Sequence, residues 1–228
     1  MIKDITHLYS NPENNSVYQP AFFRMALDSD KDALNKLLAE KKVSLIHDEI
    51  YGQLQELIKC KNPSVRIKGD EYEALISKHL KGKSFDEYGV WVYYPWSQRL
   101  VHLLDEDEFI EVRTNRNRYK ITKTEQDKLL TKKIGIVGLS VGQSIALTMA
   151  IERTCGELRL ADFDTAELSN LNRIRAGVQN LGLNKTVIAA REIYEIDPFL
   201  NIKIFNDGLH TGNMDEFFFG WGQVGPLR

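Results

Sequence analysis

The sequence has few cysteines, no excess of charge of either sign and no long apolar run. Its two cysteines, Cys60 and Cys155, offer neither the paired spacing of a zinc site nor a disulfide framework. The 30 basic and 32 acidic residues leave a net charge of −2, which excludes a general attraction to nucleic acid or to an anionic membrane. No apolar run approaches the roughly 20 residues of a membrane-spanning helix. Residues 1–7 lack the apolar core of a secretion signal, so we expect a cytoplasmic protein.

Between Lys132 and Pro198 the chain has the pattern of strand, glycine turn, helix, strand and acidic residue. The parts are the apolar run 134–137, the small residues 138–142, the helical pattern of Ile145, Leu147, Met149 and Ala150, the strand 157–161, and Asp162 with Asp164. This order is typical of the first unit of a nucleotide-binding, Rossmann-like parallel sheet.

Each part of this unit has a physical purpose in binding a nucleotide. Gly138, Ser140 and Gly142 let the backbone approach a phosphate closely, and the helix that follows presents unpaired N–H groups to it. Asp162, at the carboxyl end of the second strand, can accept both hydroxyl groups of a ribose. The third small residue of GxGxxG is displaced, however, so the turn alone also fits a tight connection in any α/β protein.

Further motifs follow the acidic pair in order. Ser169-Asn170-Leu171-Asn172-Arg173 begins shortly after Asp164, and Gly182-Leu183-Asn184-Lys185 opens a helix that closes on Asp197-Pro198. This succession resembles the ThiF/MoeB family, the ancestral branch of the ubiquitin-activating enzymes. In that family a glycine turn is followed by D-x-D, S-N-L-x-R, G-x-x-K and a helix closing on N/D-P.

The resemblance implies an ATP site and assigns roles to the matching positions. Asp162, with Asp164 beside it, would hold the ATP ribose, and Asn170 would contact the triphosphate. Arg173 and Lys185 would neutralise the charge that develops during adenylyl transfer. An amide, a guanidinium and an ammonium group beyond the carboxyl edge of a parallel sheet also suit a polyanion at the usual ligand crevice.

A basic segment precedes the first strand of this unit. In the family, an R-x-x-R segment before a Gln-rich helix sends one arginine across a homodimer to the partner subunit's ATP. Arg113-Thr114-Asn115-Arg116-Asn117-Arg118, followed by Glu125-Gln126, resembles that segment. Arg116 is the catalytic candidate, with Arg113 and Arg118 as open alternatives. Without the resemblance, such a charge run is a solvated face.

The chain before this segment predicts a mostly helical accessory region with a small hairpin. We expect a loose arm over residues 1–20, a helix from Asp28, a helical pattern from Leu45 through Ile50 to Lys59, and a helix over 70–80. The runs 89–96 and 100–104 predict a β-hairpin. Its Trp91, Tyr93, Tyr94 and Trp96 fit either the core of a small sheet or an aromatic recognition surface. His47-Asp48-Glu49, on a helix, would be poor metal co-ligands, so we predict no metal site in the chain.

After Pro198 the sequence predicts a third strand at 202–205, a short helix at 213–218 and a loop over 220–228. In the family a fourth strand follows, and its terminal Asp binds the Mg²⁺ of MgATP. We therefore expect the N-terminal part of a longer enzyme, without this metal ligand or the acceptor-binding half. The predicted fold is α/β, with an accessory domain at 1–110 and an incomplete Rossmann-like domain at 111–228.

Three functional hypotheses remain open at this stage. The first is ATP-dependent adenylylation of a carboxylate, usually the C-terminal glycine of a small ubiquitin-like or sulfur-carrier protein. The second is an NAD(P)- or FAD-binding oxidoreductase, which shares the strand–glycine–helix–acid unit but has no need of Arg173 and Lys185. The third is a non-catalytic interaction module, for which Ser140 in place of a family glycine gives modest support.

Overall fold

The computed structural model describes residues 15–220 and contains two compact units. One unit comprises residues 20–121, and the other comprises 122–220 together with 15–19. Most of the predicted arm at 1–20 and of the loop at 220–228 lies outside the described residues. The units divide after Ile121, and a domain boundary after residue 110 stays a prediction.

The unit over residues 20–121 is a mixed four-stranded sheet with helices. Its elements are β1 (Ala21–Phe23), α1 (Asp28–Ala39), β2 (Leu45–Asp48), α2 (Ile50–Lys61), α3 (Glu71–Leu80), β3 (Val90–Tyr94), β4 (Arg99–Leu103) and α4 (Glu106–Thr114), followed by a 3-10 turn at Asn115–Tyr119. The sheet order is β1-β3-β4-β2. The predicted hairpin is confirmed as the antiparallel pair β3–β4, and β2 runs parallel to β4.

The helical predictions for this unit are confirmed except at Leu45. The segment Leu45–Asp48 is strand β2, and the helix begins only at Ile50. A short apolar segment carries too few residues for periodicity to separate strand from helix, and pairing with β4 decides in favour of the strand. The three-residue strand β1 was likewise not predicted, because three residues show no period.

Asp48, an exposed residue at the end of β2, pairs with a buried histidine. The expectation that His47 and Asp48 lie on a helix is wrong, because both are in β2. Asp48 accepts a hydrogen bond from the N–H of Ile50 at 3.2 Å, and its carboxylate lies 2.9 Å from Nδ1 of the fully buried His102. The imidazole of His102 also stacks on Trp91 with ring centroids 4.1 Å apart. Asp48 therefore helps to join β2, β4 and the start of α2.

The aromatic cluster of the hairpin is largely core. Tyr93 and Tyr94 are 7% and 5% exposed, and the hydroxyl of Tyr93 donates to the carbonyl of Lys42 at 2.9 Å. The core interpretation of Tyr93 and Tyr94 is thus confirmed.

A second core lies among α2, α3 and the end of β4. Its buried members are Ile50, Leu54, Leu57, Ile58, Tyr72, Ile76, Leu80 and Leu104.

The unit that contains residues 122–220 is built on a three-stranded parallel sheet. Its elements are α5 (Lys123–Leu130), β5 (Lys133–Val137), α6 (Leu139–Glu152), β6 (Glu157–Ala161), α7 (Lys185–Ile196), β7 (Asn201–Phe205) and α8 (Met214–Phe219), with 3-10 turns at Leu168–Asn170 and Val178–Asn180. The strand order is β5-β6-β7, with Val137 opposite Ala161 and Ala161 opposite Phe205. The predicted strands, helices and parallel pairing are confirmed.

Helices cover both faces of this sheet. A Cβ at Gly142 of α6 would lie 2.6 Å from Ile136, whereas a Cβ at Gly135 would lie 2.6 Å from the ring of Phe217 in α8. Successive strand residues point to opposite faces, so α6 and α8 pack on opposite sides of β5. Among the described residues, no helix is long and apolar enough to cross a membrane.

Buried polar contacts tie the ends of the helices together. Asp197, fully buried at the end of α7, pairs with the guanidinium group of Arg153 beyond the end of α6. Asp197 Oδ1 also accepts from the N–H of Phe199 at 3.1 Å. Cys155 is fully buried nearby, and burial raises the pKa of its thiol to about 11.

We expect Asp197→Ala to lower the free energy of unfolding by about 3–5 kcal/mol, because the substitution leaves the charge of Arg153 buried without its carboxylate. Urea denaturation measures this change. The matched control is Lys123→Ala, which removes an exposed pair with Asp127 and should cost less than about 0.5 kcal/mol. A loss of the control's size for Asp197→Ala would show that the buried pair does not hold these helix ends.

Candidate functional site

The predicted glycine turn lies at the carboxyl edge of the parallel sheet. Strand β5 ends at Val137, and Gly138 has φ +83° and ψ 103°, a conformation that residues with a Cβ rarely adopt. The N–H of Gly138 donates to the carbonyl of Ala161 at 2.8 Å, and α6 begins at the next residue. The turn therefore directs the amino end of α6 towards the edge where β6 also ends.

Asp162 fixes this turn from the neighbouring strand. Its Oδ2 accepts from the N–H of Leu139 at 2.6 Å, and its Oδ1 accepts from the N–H of Asp164 at 2.8 Å. The residue is 7% exposed. Because each carboxylate oxygen can accept more than one hydrogen bond, these two contacts leave acceptor capacity for ribose hydroxyl groups. The predicted ribose contact of Asp162 stays a prediction.

Lys185 places a buried positive charge beside the turn. It is the first residue of α7, where Asn184 caps the helix by accepting from the N–H of Thr186 at 2.8 Å. The ammonium group lies 2.7 Å from Asp164 Oδ2 and 3.4 Å from Ser140 Oγ, and Lys185 is 5% exposed. The structure thus brings together five predicted site residues, which we call the turn cluster: Gly138, Ser140, Asp162, Asp164 and Lys185.

Asn170 and Arg173 lie on the loop that follows β6. The Oδ1 of Asn170 accepts from the N–H of Glu167 at 3.2 Å, and Asn170 is 7% exposed. Arg173 is exposed, and its guanidinium group donates to the carbonyl of Ser169 at 3.3 Å and to Asn172 Oδ1 at 3.0 Å. Among residues 15–220, no hydrogen bond joins this pair directly to the turn cluster. Their contacts to a triphosphate stay predictions.

Two further predicted residues have different surroundings. Gly142 is buried where α6 presses on Ile136, so close packing explains its small size without a ligand. Arg116 is exposed in the 3-10 turn of the unit over residues 20–121, as is Arg118, whose guanidinium lies 5.6 Å from the ring centroid of Tyr119. The roles of Gly142 and Arg116 in binding a nucleotide stay predictions.

Gln143 is a buried polar residue of this region that the sequence analysis missed. Its side chain binds the backbone N–H and carbonyl of Arg175, and it also donates to Glu192 on α7. The partners lie 32 and 49 residues away in the chain. A glutamine inside a helical pattern carries no local signal of such contacts.

The turn cluster has the chemical features that a nucleoside phosphate requires. The first-turn N–H groups of a helix have no acceptor within the helix, and in α6 that of Leu139 is already bound by Asp162. The N–H groups of Ser140 and Val141 belong to the same turn and suit an anion there. Lys185 adds a formal positive charge, and Asp162 adds acceptors for ribose. Among the described residues, no group of three or more His, Cys, Asp or Glu could hold a metal ion.

The ThiF family model matches residues 113–224. A Mycobacterium tuberculosis protein named uncharacterized protein MT1398 is 51% identical over 130 residues, which cover 57% of this chain and 18% of that protein. Ubiquitin-like modifier-activating enzyme 5 of Drosophila erecta is 31% identical over 111 residues, covering 48% and 27%. A probable molybdopterin-synthase adenylyltransferase of Porphyra purpurea is 36% identical over 92 residues, covering 40% and 24%. The chain therefore spans a minor part of these relatives' lengths.

Solved structures give partial overlaps. The E. coli tRNA N6-threonylcarbamoyladenosine dehydratase TcdA in complex with ATP is 23% identical, with a TM-score of 0.45 over 50% of this chain and 47% of that chain. The E. coli protein MccB with MccA is 17% identical, with a TM-score of 0.37 over 73% and 47%. With TM-scores below 0.5, these overlaps carry no functional conclusion.

The carboxyl group of Glu192 predicts a pH dependence of stability. Burial raises its pKa from 4.5 to about 7; Glu195 acts in the same direction, and Gln143 and Arg175 act against it. The folded state then holds a proton that the unfolded chain releases near its ordinary pKa. The free energy of unfolding should therefore fall as the pH rises from about 4.5 to about 7.

Glu192→Gln should remove this part of the slope, as measured by urea denaturation at several pH values. Asp215→Asn, which changes an exposed carboxylate of α8 in the same unit, should leave the slope as it is. Equal slopes in wild type and Glu192→Gln would contradict the assignment.

Proposed function

We propose that the protein to which this chain belongs is an ATP-dependent adenylyltransferase that activates a carboxylate, because the ThiF family model matches residues 113–224. The observation that carries the proposal is the turn cluster. It combines a glycine turn, a carboxylate with spare acceptor capacity and a buried lysine at one edge of a parallel sheet. These three features suit the phosphates and the ribose of one ATP molecule.

The proposed reaction forms an acyl-adenylate. A carboxylate oxygen of the acceptor attacks the α-phosphorus of MgATP, the bond to the β-phosphate oxygen breaks, and pyrophosphate leaves. Mg²⁺ would supply additional positive charge on the phosphates. The protein's own contribution is to position the reactants and to stabilise charge on the phosphate oxygens, for which Lys185 and Arg173 are the candidates.

Within the turn cluster, the charge of Lys185 is offset by its contact with Asp164. An ammonium group has three donors, and Asp164 takes one at 2.7 Å while Ser140 lies at the longer 3.4 Å. A donor is therefore available for a phosphate oxygen without breaking the pair. Asp162 would orient the ribose, and Asn170 with Arg173 would meet the triphosphate from the loop after β6.

The proposal extends to the acceptor, the oligomeric state and the cellular location of the protein. Two relatives named as a ubiquitin-like modifier-activating enzyme and a molybdopterin-synthase adenylyltransferase support the C-terminus of a small carrier protein as the carboxylate. We further propose a cytoplasmic homodimer in which Arg116 of one protomer serves the site of its partner.

A dinucleotide-dependent oxidoreductase is the competing proposal. It rests on the strand–turn–helix unit and on Asp162 at the ribose position, which would favour NAD over NADP. Lys185 beside the glycine turn and Arg173 on the following loop favour the triphosphate, since a dinucleotide site has no need of both.

Calorimetric titration with MgATP and with NAD⁺ distinguishes these proposals. We expect the chain to bind MgATP more tightly than NAD⁺, and Arg173→Ala to weaken MgATP binding by about 10–100-fold, because a hydrogen bond to a charged group contributes about 1.5–3 kcal/mol. Arg66→Ala, which removes an exposed arginine from the unit over residues 20–121, is the matched control and should bind as the wild type does.

Preference for NAD⁺ without any effect of Arg173→Ala would contradict adenylylation and support the oxidoreductase. If neither nucleotide binds, the same titration on the full-length protein decides the question. Full-length protein that binds no MgATP would contradict the proposal.

A further inference from the structure

The side chain of Gln143 forms a three-way contact between α6, α7 and the loop after β6. Its Nε2 donates to the carbonyl of Arg175 at 2.7 Å and to Glu192 Oε2 at 2.7 Å, and its Oε1 accepts from the N–H of Arg175 at 3.1 Å. The residue is 4% exposed. Both donors and the acceptor of the amide therefore have partners within the protein.

The backbone of Arg175 fixes the orientation of this amide. A backbone N–H only donates and a carbonyl only accepts, so the oxygen of Gln143 faces the N–H of Arg175 and its NH₂ group faces the carbonyl. With this orientation, Gln143 pairs with both backbone groups of Arg175, much as a neighbouring β-strand would. Rotating the amide by half a turn would place two acceptors face to face at the carbonyl of Arg175.

Gln143 thus forms a clamp on the backbone of Arg175, which lies two positions after Arg173. Between them, Ile174 is 7% exposed and packs with Ala166 and Ile188. The backbone on the other side is held by Asn170, whose carbonyl accepts from the N–H groups of Arg173 at 3.0 Å and of Ile174 at 3.1 Å. Arg173 itself is exposed, and its guanidinium group donates to Ser169 and Asn172 of its own loop.

We propose that Gln143 is a positioning residue for nucleotide binding, which acts by holding the backbone of Arg175 so that Arg173 is presented to the phosphates. This inference rests on the proposed function. A flexible loop would have to be ordered when the ligand binds, at a cost in affinity, whereas the clamp orders it beforehand. Glu192 supports the clamp by accepting a hydrogen bond from the amide of Gln143.

The test compares Gln143→Met, which keeps the volume of the side chain but has no amide, with Gln126→Met. Gln126 is the matched control because it is also buried, at 6% exposure, and its amide donates to the backbone carbonyl of Arg153 at 3.0 Å in the same unit. Both substitutions remove a buried contact between a glutamine and the backbone. Only Gln143 contacts the loop that carries Arg173.

We expect Gln143→Met to weaken MgATP binding at least about fivefold, and Gln126→Met to leave it within about twofold. In an Arg173→Ala background, Gln143→Met should have little further effect, because its influence passes through Arg173. Hydrogen exchange should show faster exchange of the Arg175 amide in Gln143→Met and an unchanged rate in Gln126→Met.

Unchanged MgATP affinity of Gln143→Met, or an equal loss in the presence and absence of Arg173, would overturn the inference while leaving the proposed function in place. Full-length wild-type protein that binds no MgATP would contradict the proposed function and, with it, this inference. A loss of affinity of the same size in Gln126→Met would show that the effect is general destabilisation, which also overturns the inference.

Discussion

The carboxylate of Asp162 is the contact on which the site depends. One oxygen holds the first N–H of α6, the other holds the N–H of Asp164, and Asp164 in turn binds the ammonium group of Lys185. The glycine turn, the end of β6 and the start of α7 are therefore linked through a single side chain. Because this carboxylate is nearly buried and bound on both oxygens, it constrains the geometry of the turn before any ligand arrives.

The same side chain explains why a structural and a ligand-binding role can coincide. The first-turn amide that Asp162 uses is one of several at the start of α6, and the remaining ones suit an anion. Lys185 is kept close to them by its ion pair with Asp164. Opposite charges thus stabilise each other inside the turn cluster, and both lie where a nucleotide would need them.

Much of this unit could be predicted from the sequence because its signals are local. Apolar runs, the glycine turn and the Asp162–Asp164 pair occur in one short stretch, and parallel strands end at the same edge. Leu45–Asp48 was predicted wrongly because four residues carry too little periodicity and the pairing with β4 is distant in sequence. Gln143 could not be found for the same reason: its partners come from loops and helices that only the fold brings near.

The measurement that tests the central claim most directly is the MgATP affinity of Asp162→Asn, together with hydrogen exchange of the Leu139 amide. An asparagine keeps the size of the side chain, but only one of its two polar atoms can accept. The claim predicts faster exchange at Leu139 and a loss of MgATP binding in a protein that still unfolds cooperatively. Wild-type exchange and wild-type affinity in this variant would contradict it.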